Sequence, residues 1–279
     1  MKKGISIWSF AETDLKKCFA LAKDAGFDGI ELALDEEGVI SLSSSKEEML
    51  EIKKMAQDAD LELYSLASGL GWTYNYTSNK KENREKAIEI TKKQLQIASW
   101  LGCDTILVVP GAVDVVFDPE YDVTNYDIAY DRCLAALKEL APFAEELHVS
   151  IAIENVWNKF LLSPLEMRDI IDKVNSEYVG SYFDVGNVLY CGYPQQWIKI
   201  LNKRIKKVHF KDYKTAVGSL DGFVDLLAGD TDYDAVTKAL CEVGYNGWVT
   251  AEMLPPYKQY PETILYNTSN SMDKILGRK

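Results

Sequence analysis

Lys206–Tyr213 reads KKVHFKDY, a β-forming run with basic residues on both flanks and a histidine, His209, where a strand asks only for packing. The chain has only two histidines. An imidazole in such a run points to a metal ligand or a proton carrier, whose partners must come from other parts of the chain.

The strand that carries His209, Ile205–Asp212, is one of a repeating series. Before it, strand-like runs at Gly4–Phe10, Gly29–Leu34, Leu61–Ser68, Thr105–Pro110, Val149–Asn155 and Tyr178–Asp184 alternate with helical spacing. The helices are expected at Asp14–Ala25, Ser44–Asp60, Lys80–Leu101, Asn125–Leu147, Pro164–Val174 and Pro194–Leu201, with stops at Gly26 and Gly102 and an N-cap at Ser163. After it come a helix at Tyr233–Val243, a strand at Gly247–Leu254 and a C-terminal helix. Near-continuous apolar strands separated by helices require parallel pairing, and eight such units close into a (β/α)8 barrel. The rival arrangement is a doubly wound open sheet. With no linker or low-complexity tract, residues 1–279 read as one barrel domain.

Composition agrees with a protein that buries a sizeable core: 47% of residues are hydrophobic and 27% charged. The formal net charge of −12 argues against a nucleic-acid surface, which would need clustered Lys and Arg. The five cysteines are scattered singly with no C-x-x-C pair, as expected of reduced thiols in the cytoplasm. No signal-peptide or membrane-length apolar run is present, so neither export nor a membrane partner is expected.

Four late strands each end in a residue able to bind a cation: Glu154 in SIAIEN, Asp184 in SYFDVGN, His209 in KVHFKD and Glu252 in VTAEML. A carboxylate at the end of a β-branched run is expensive to bury uncompensated, and four such groups at equivalent positions converge on one barrel mouth. Three carboxylates and an imidazole suit Mn²⁺ or Mg²⁺, with Co²⁺ and Zn²⁺ as alternatives. The rival reading is a set of salt bridges to Lys207, Lys211 or Lys214, with Asp184 serving as an N-cap in its DVGN turn.

Together ENVWN at Glu154, FDVGN at Asp184, VHFKD at His209 and AEM at Glu252 resemble the xylose-isomerase-like TIM-barrel superfamily of sugar and sugar-phosphate isomerases and epimerases. DGIEL at Asp28–Leu32 and the AGDTDYDAV stretch extend the likeness over essentially the whole chain. The resemblance implies one divalent metal, Mn²⁺ first, on Glu154, Asp184, His209 and Glu252. It also implies that Glu154 and Glu252 act as an acid/base pair on a ketose or ketose phosphate. Transfer on opposite faces of one carbon gives a C3 epimer; transfer between C1 and C2 gives aldose–ketose isomerisation. Homo-oligomers are common among such relatives.

The sequence departs from the free-ketose epimerases of that superfamily at two places. Asn187 stands where they carry a His, and Lys211 and Lys214 occupy the region where they carry an Arg. Lysines hold a phosphate as point charges, which favours a phosphorylated ketose. Backbone amides near Gly218 and Gly229 are a further candidate anion cradle. Trp8 in the first strand, Glu31 ending the second, Asn155 and Trp157 beside Glu154, and Trp72 with Tyr74 and Tyr76 in the Gly69–Asn79 loop are candidates for lining the mouth. The other irregular stretches are Gly111–Thr124 and Lys214–Thr231. An inosose-type dehydratase or hydroxypyruvate isomerase would use the same metal and base, and a non-catalytic carbohydrate-binding barrel is the alternative outside enzymes. A multi-zinc apurinic endonuclease needs more histidines than this chain has.

Overall fold

The computed structural model describes residues 1–254 and 256–278. Its strands are β1 (Lys2–Ser6), β2 (Gly29–Leu34), β3 (Glu62–Ser68), β4 (Thr105–Val108), β5 (Ser150–Glu154), β6 (Val179–Asp184), β7 (Ile205–Phe210), β8 (Asp212–Tyr213), β9 (Phe223–Val224) and β10 (Trp248–Ala251). Between them run α1 (Leu15–Asp24), α2 (Lys46–Asp58), α3 (Lys81–Leu101), α4 (Tyr126–Leu147), α5 (Pro164–Val174), α6 (Val185–Val188), α7 (Pro194–Leu201) and α8 (Tyr233–Glu242), and α9 (Thr263–Ile275) follows β10.

Eight strands close a barrel in the order β1-β10-β7-β6-β5-β4-β3-β2. β1 pairs in parallel with both β10 and β2, which closes the ring and rules out the open sheet. Every residue of β4, β6 and β10 is buried, as a parallel strand covered on both faces demands. Helix starts follow local chemistry: the Asp14 side chain accepts from Lys17 N–H (3.1 Å), and Ser163 and Glu166 form a reciprocal capping box ahead of Pro164. No helix among the described residues is long and apolar enough to cross a membrane.

The chain groups into two compact units, and the divisions fall within β2, α2, β3 and β6. The unit of Met1–Leu32, Glu51–Tyr64 and Phe183–Lys279 contains β1, β7 and β10 and buries Ile5, Val208, Phe210, Val236 and Val249. The unit of Ala33–Leu50 and Ser65–Tyr182 contains β4 and β5 and buries Ile106, Leu107, Ile151, Ile153 and Leu137.

Three expectations need correction. The first strand ends at Ser6, and Trp8 lies in a one-turn 3-10 helix, Ile7–Ser9, whose start is capped by the Ser6 side chain. The strand expected to reach Pro110 ends at Val108. Lys214–Thr231 is not simply irregular, because β9 returns to pair with β8 through Asp212↔Val224 and Tyr213↔Phe223. All three lie at strand ends, where alternation of apolar residues no longer reports the backbone path.

Candidate metal and catalytic site

Glu154 is the last residue of β5 and Asp184 the last of β6, His209 is the penultimate residue of β7, and Glu252 directly follows β10. Parallel strands carry these four to the same end of the barrel, with one ligand atom from each lying within 4.8 Å of all the others. All four are buried. The register supports the convergence, for Thr250 lies opposite His209 and Glu154 opposite Tyr182.

The Glu31 carboxylate lies 3.0 Å from His209 Nε2, with both side chains fully buried. Against an ionised carboxylate Nε2 is the donor, and Nδ1 is on the other side of the ring. Nδ1 faces Asp184 Oδ2 at 3.9 Å and Glu252 Oε2 at 3.7 Å. Glu31, a candidate for the mouth lining, thus contacts the imidazole from behind.

Asp184 fills the N-cap role weighed from the sequence. Its Oδ1 accepts from Asn187 N–H (2.7 Å) as the N-cap of α6, while Oδ2 faces the cluster. Burial raises its carboxyl above the usual aspartate range; the charges of Lys211 and His209 oppose that rise, and the neighbouring Glu252 adds to it. The salt bridges considered as a rival reading are formed by Lys211, whose Nζ lies 3.3 Å from Asp184 Oδ2 and in close contact with Glu252 Oε2. The donor set fits a divalent cation: three carboxylates and an imidazole offer oxygen and nitrogen ligand atoms around one point.

The remaining candidates divide by location. Asn155 and Asn187 are buried beside Glu154 and Asp184, and Trp157 follows half-buried. Trp8 is half-buried after β1. Trp72 packs edge-on against Phe117 with ring centroids 5.0 Å apart, Tyr74 is half-buried, and Tyr76 is buried with its hydroxyl 2.5 Å from Thr91. Tyr76 therefore anchors its loop to α3. Lys214 is exposed beside Asp230.

Asp212 was passed over in the sequence, and it organises the loop after β7. Its buried carboxylate accepts from Leu227 N–H (2.9 Å), Gly229 N–H (3.0 Å), Thr231 N–H (3.1 Å), the Thr231 hydroxyl (2.6 Å) and its own neighbour Tyr213 N–H (2.9 Å). A Cβ on Gly229 would come within 2.3 Å of Asp212 Oδ1, so only glycine fits there. The anion cradled by the Gly229 amide is the protein's own Asp212. The signal was available in VHFKD followed by AGDTD, but nothing local says that a carboxylate will fold a loop fifteen to nineteen residues downstream.

The sequence matches the family described as xylose isomerase-like TIM barrel over residues 19–268, and the chain belongs to that family. Among curated relatives it is 25% identical over 240 residues to the L-ribulose-5-phosphate 3-epimerase UlaE of Salmonella heidelberg, covering 85% of this chain and 81% of that one. Among solved structures, the D-psicose 3-epimerase of Clostridium cellulolyticum with D-tagatose superposes with a TM-score of 0.81 at 18% identity, covering 99% of each chain. The IolI protein with a binding zinc atom superposes with a TM-score of 0.81 at 21% identity, covering 100% of this chain and 99% of that one. These likenesses place the fold among barrels of known architecture.

Proposed function

We propose that the protein is a divalent-metal-dependent epimerase or isomerase of a ketose or ketose phosphate, with C3 epimerisation as its reaction. The observation that carries this reading is the convergence of Glu154, Asp184, His209 and Glu252 within 4.8 Å at the ends of parallel strands. The epimerase named among the relatives supports the reaction class, and its phosphorylated substrate supports a sugar phosphate here.

In this reading Glu154, Asp184, His209 and Glu252 hold the ion, which supplies charge stabilisation as the proton leaves the carbon next to the carbonyl. Glu154 ends β5 and Glu252 directly follows β10, strands that are not neighbours in the barrel order, and so the two can address opposite faces of a sugar carbon. One removes the proton and the other returns it, which inverts that centre. Asp184 and His209 orient the ion and leave the proton work to the glutamates, with Glu31 holding the imidazole in register. Asn187, Asn155, Trp157, Trp8 and Trp72 serve as polar and apolar contacts to the sugar. Lys211 and Lys214 are the candidate cationic groups for a phosphate. Mn²⁺ is the assigned ion; the zinc named for the IolI structure makes Zn²⁺ the first competitor.

We read residues 1–279 as one domain, since the two compact units divide β2, β3 and β6 internally. The cysteines are free, in keeping with a reducing cytoplasm. The test is solvent deuterium incorporation at C3 across a panel of ketoses and ketose phosphates with added Mn²⁺. Exchange with formation of the C3 epimer is expected. Loss of water would indicate the dehydratase instead, exchange at C1 and C2 the aldose–ketose isomerase, and no exchange on any substrate a binding barrel.

A further inference from the structure

Lys211 is held in place along its whole length. Its backbone carbonyl accepts from the Tyr233 hydroxyl at 2.9 Å. Its Cβ and backbone press on Gly186, where an added Cβ would come within 2.5 Å of Lys211 Cβ and 3.0 Å of its carbonyl. Its ammonium reaches Asp184 Oδ2 at 3.3 Å, touches Glu252 Oε2, and lies 5.5 Å from the Phe223 ring centroid. The side chain is only 16% exposed. A lysine free to choose its position would keep its head in water; this one is built into the carboxylate cluster.

Asp184 and Glu252 are also two of the four residues assigned above to the ion, and the inference rests on that assignment. The oxygens that face Lys211 are Asp184 Oδ2 and Glu252 Oε2, the same two that face His209 Nδ1. An ammonium and a divalent ion drawn to the same oxygens repel each other in a buried site. We propose that Lys211 is an internal counter-ion that competes with the divalent metal for Asp184 and Glu252, and that metal loading moves its ammonium off those oxygens. The lysine thereby keeps the crowded carboxylates neutralised while the site is empty and sets how tightly the metal is held.

The experiment uses the full-length protein stripped with a chelator and titrated calorimetrically with Mn²⁺ alone. Lys211→Met is expected to bind Mn²⁺ on the order of tenfold more tightly than wild type, because no ammonium has to be displaced. Its stripped form is expected to melt several degrees lower, because the carboxylates lose their counter-ion. Lys211→Arg, which keeps the charge, is expected to stay close to wild type in affinity. Equal or weaker Mn²⁺ binding by Lys211→Met, or an Arg variant that behaves like the Met variant, would overturn the counter-ion role while leaving the metal site standing. Absence of Mn²⁺ binding in wild type and variant alike would overturn both. A measurement on wild type needs no variant to fold: acetylation of Lys211 by acetic anhydride, followed by mass spectrometry, should accelerate severalfold on adding Mn²⁺. An unchanged or slowed rate would contradict the displacement.

Discussion

Two buried charge clusters of the protein are built on opposite principles. At one, the Lys3 ammonium, 2% exposed, meets Asp273 Oδ1 at 2.6 Å and Ser269 Oγ at 2.9 Å, tying β1 to α9. One cation meets one anion, with a hydroxyl taking up a further donor. At the other, Asp184, Glu252 and Glu31 surround His209 and Lys211, and Glu154 adds another carboxylate to the group. The first cluster is complete without any ligand, and its role is to fasten a helix. The second gathers more negative charge than folding asks for, which is the mark of a site that expects a cation.

The sharpest way to break this contrast is Glu252→Gln. It is expected to lower C3 proton exchange by about 10³-fold while the fold persists and some Mn²⁺ still binds; near-normal exchange would remove Glu252 from proton transfer. Lys3→Met should do the reverse. It leaves Asp273 buried without its cation and is expected to destabilise the protein by about 3–5 kcal/mol in urea unfolding. A Lys3→Met/Asp273→Leu double variant should recover most of that loss, and failure to recover would mean that the pair is more than a balanced fastening.

Between these lies Glu31→Gln, which touches the ion only through His209. A loss of about 10–100-fold in Mn²⁺ affinity is expected, read by calorimetry. An unaltered affinity would return Glu31 to the role of a packing or lining residue.

The smallest effect concerns Asp28. Burial works to raise its carboxyl, but the hydrogen bond from Arg278 (2.7 Å) and that from Lys3 N–H (2.7 Å) outweigh it and hold the group below its ordinary value. A depressed carboxyl contributes stability that is complete above the ordinary aspartate range and is lost as pH falls through the lowered folded value. Arg278→Ala should therefore flatten the acid limb of the stability–pH curve and change stability near neutrality by less than about 1 kcal/mol, since the pair is one-third exposed. A change at low pH as large as that at neutral pH would refute the assignment.

Much of the barrel was legible because its period is local. Apolar runs such as TILV and SIAIE, separated by capped amphipathic helices, announce parallel strands wherever they occur. The convergence of the candidate site was legible for a related reason: Glu154, Asp184, His209 and Glu252 each stand at or beside a strand end, and parallel closure sends all strand ends to one mouth. The hairpin of β8 and β9 was not, because its two-residue strands are too short to carry a period.

For the stretch Lys206–Tyr213, the amino-acid order by itself determined that His209 would lie near the end of a buried parallel strand and face other groups at strand ends. Only the tertiary structure decided what its neighbours do. Glu31, from the other side of β1 in the ring, takes Nε2; Lys211 turns inward to the carboxylates; Asp212 turns away to gather the loop that ends at Thr231. Strand periodicity is a property of adjacent residues. The choice of partner for a charged side chain is made by whatever the closed fold brings within a few ångströms, and burial makes that choice costly to leave unmade.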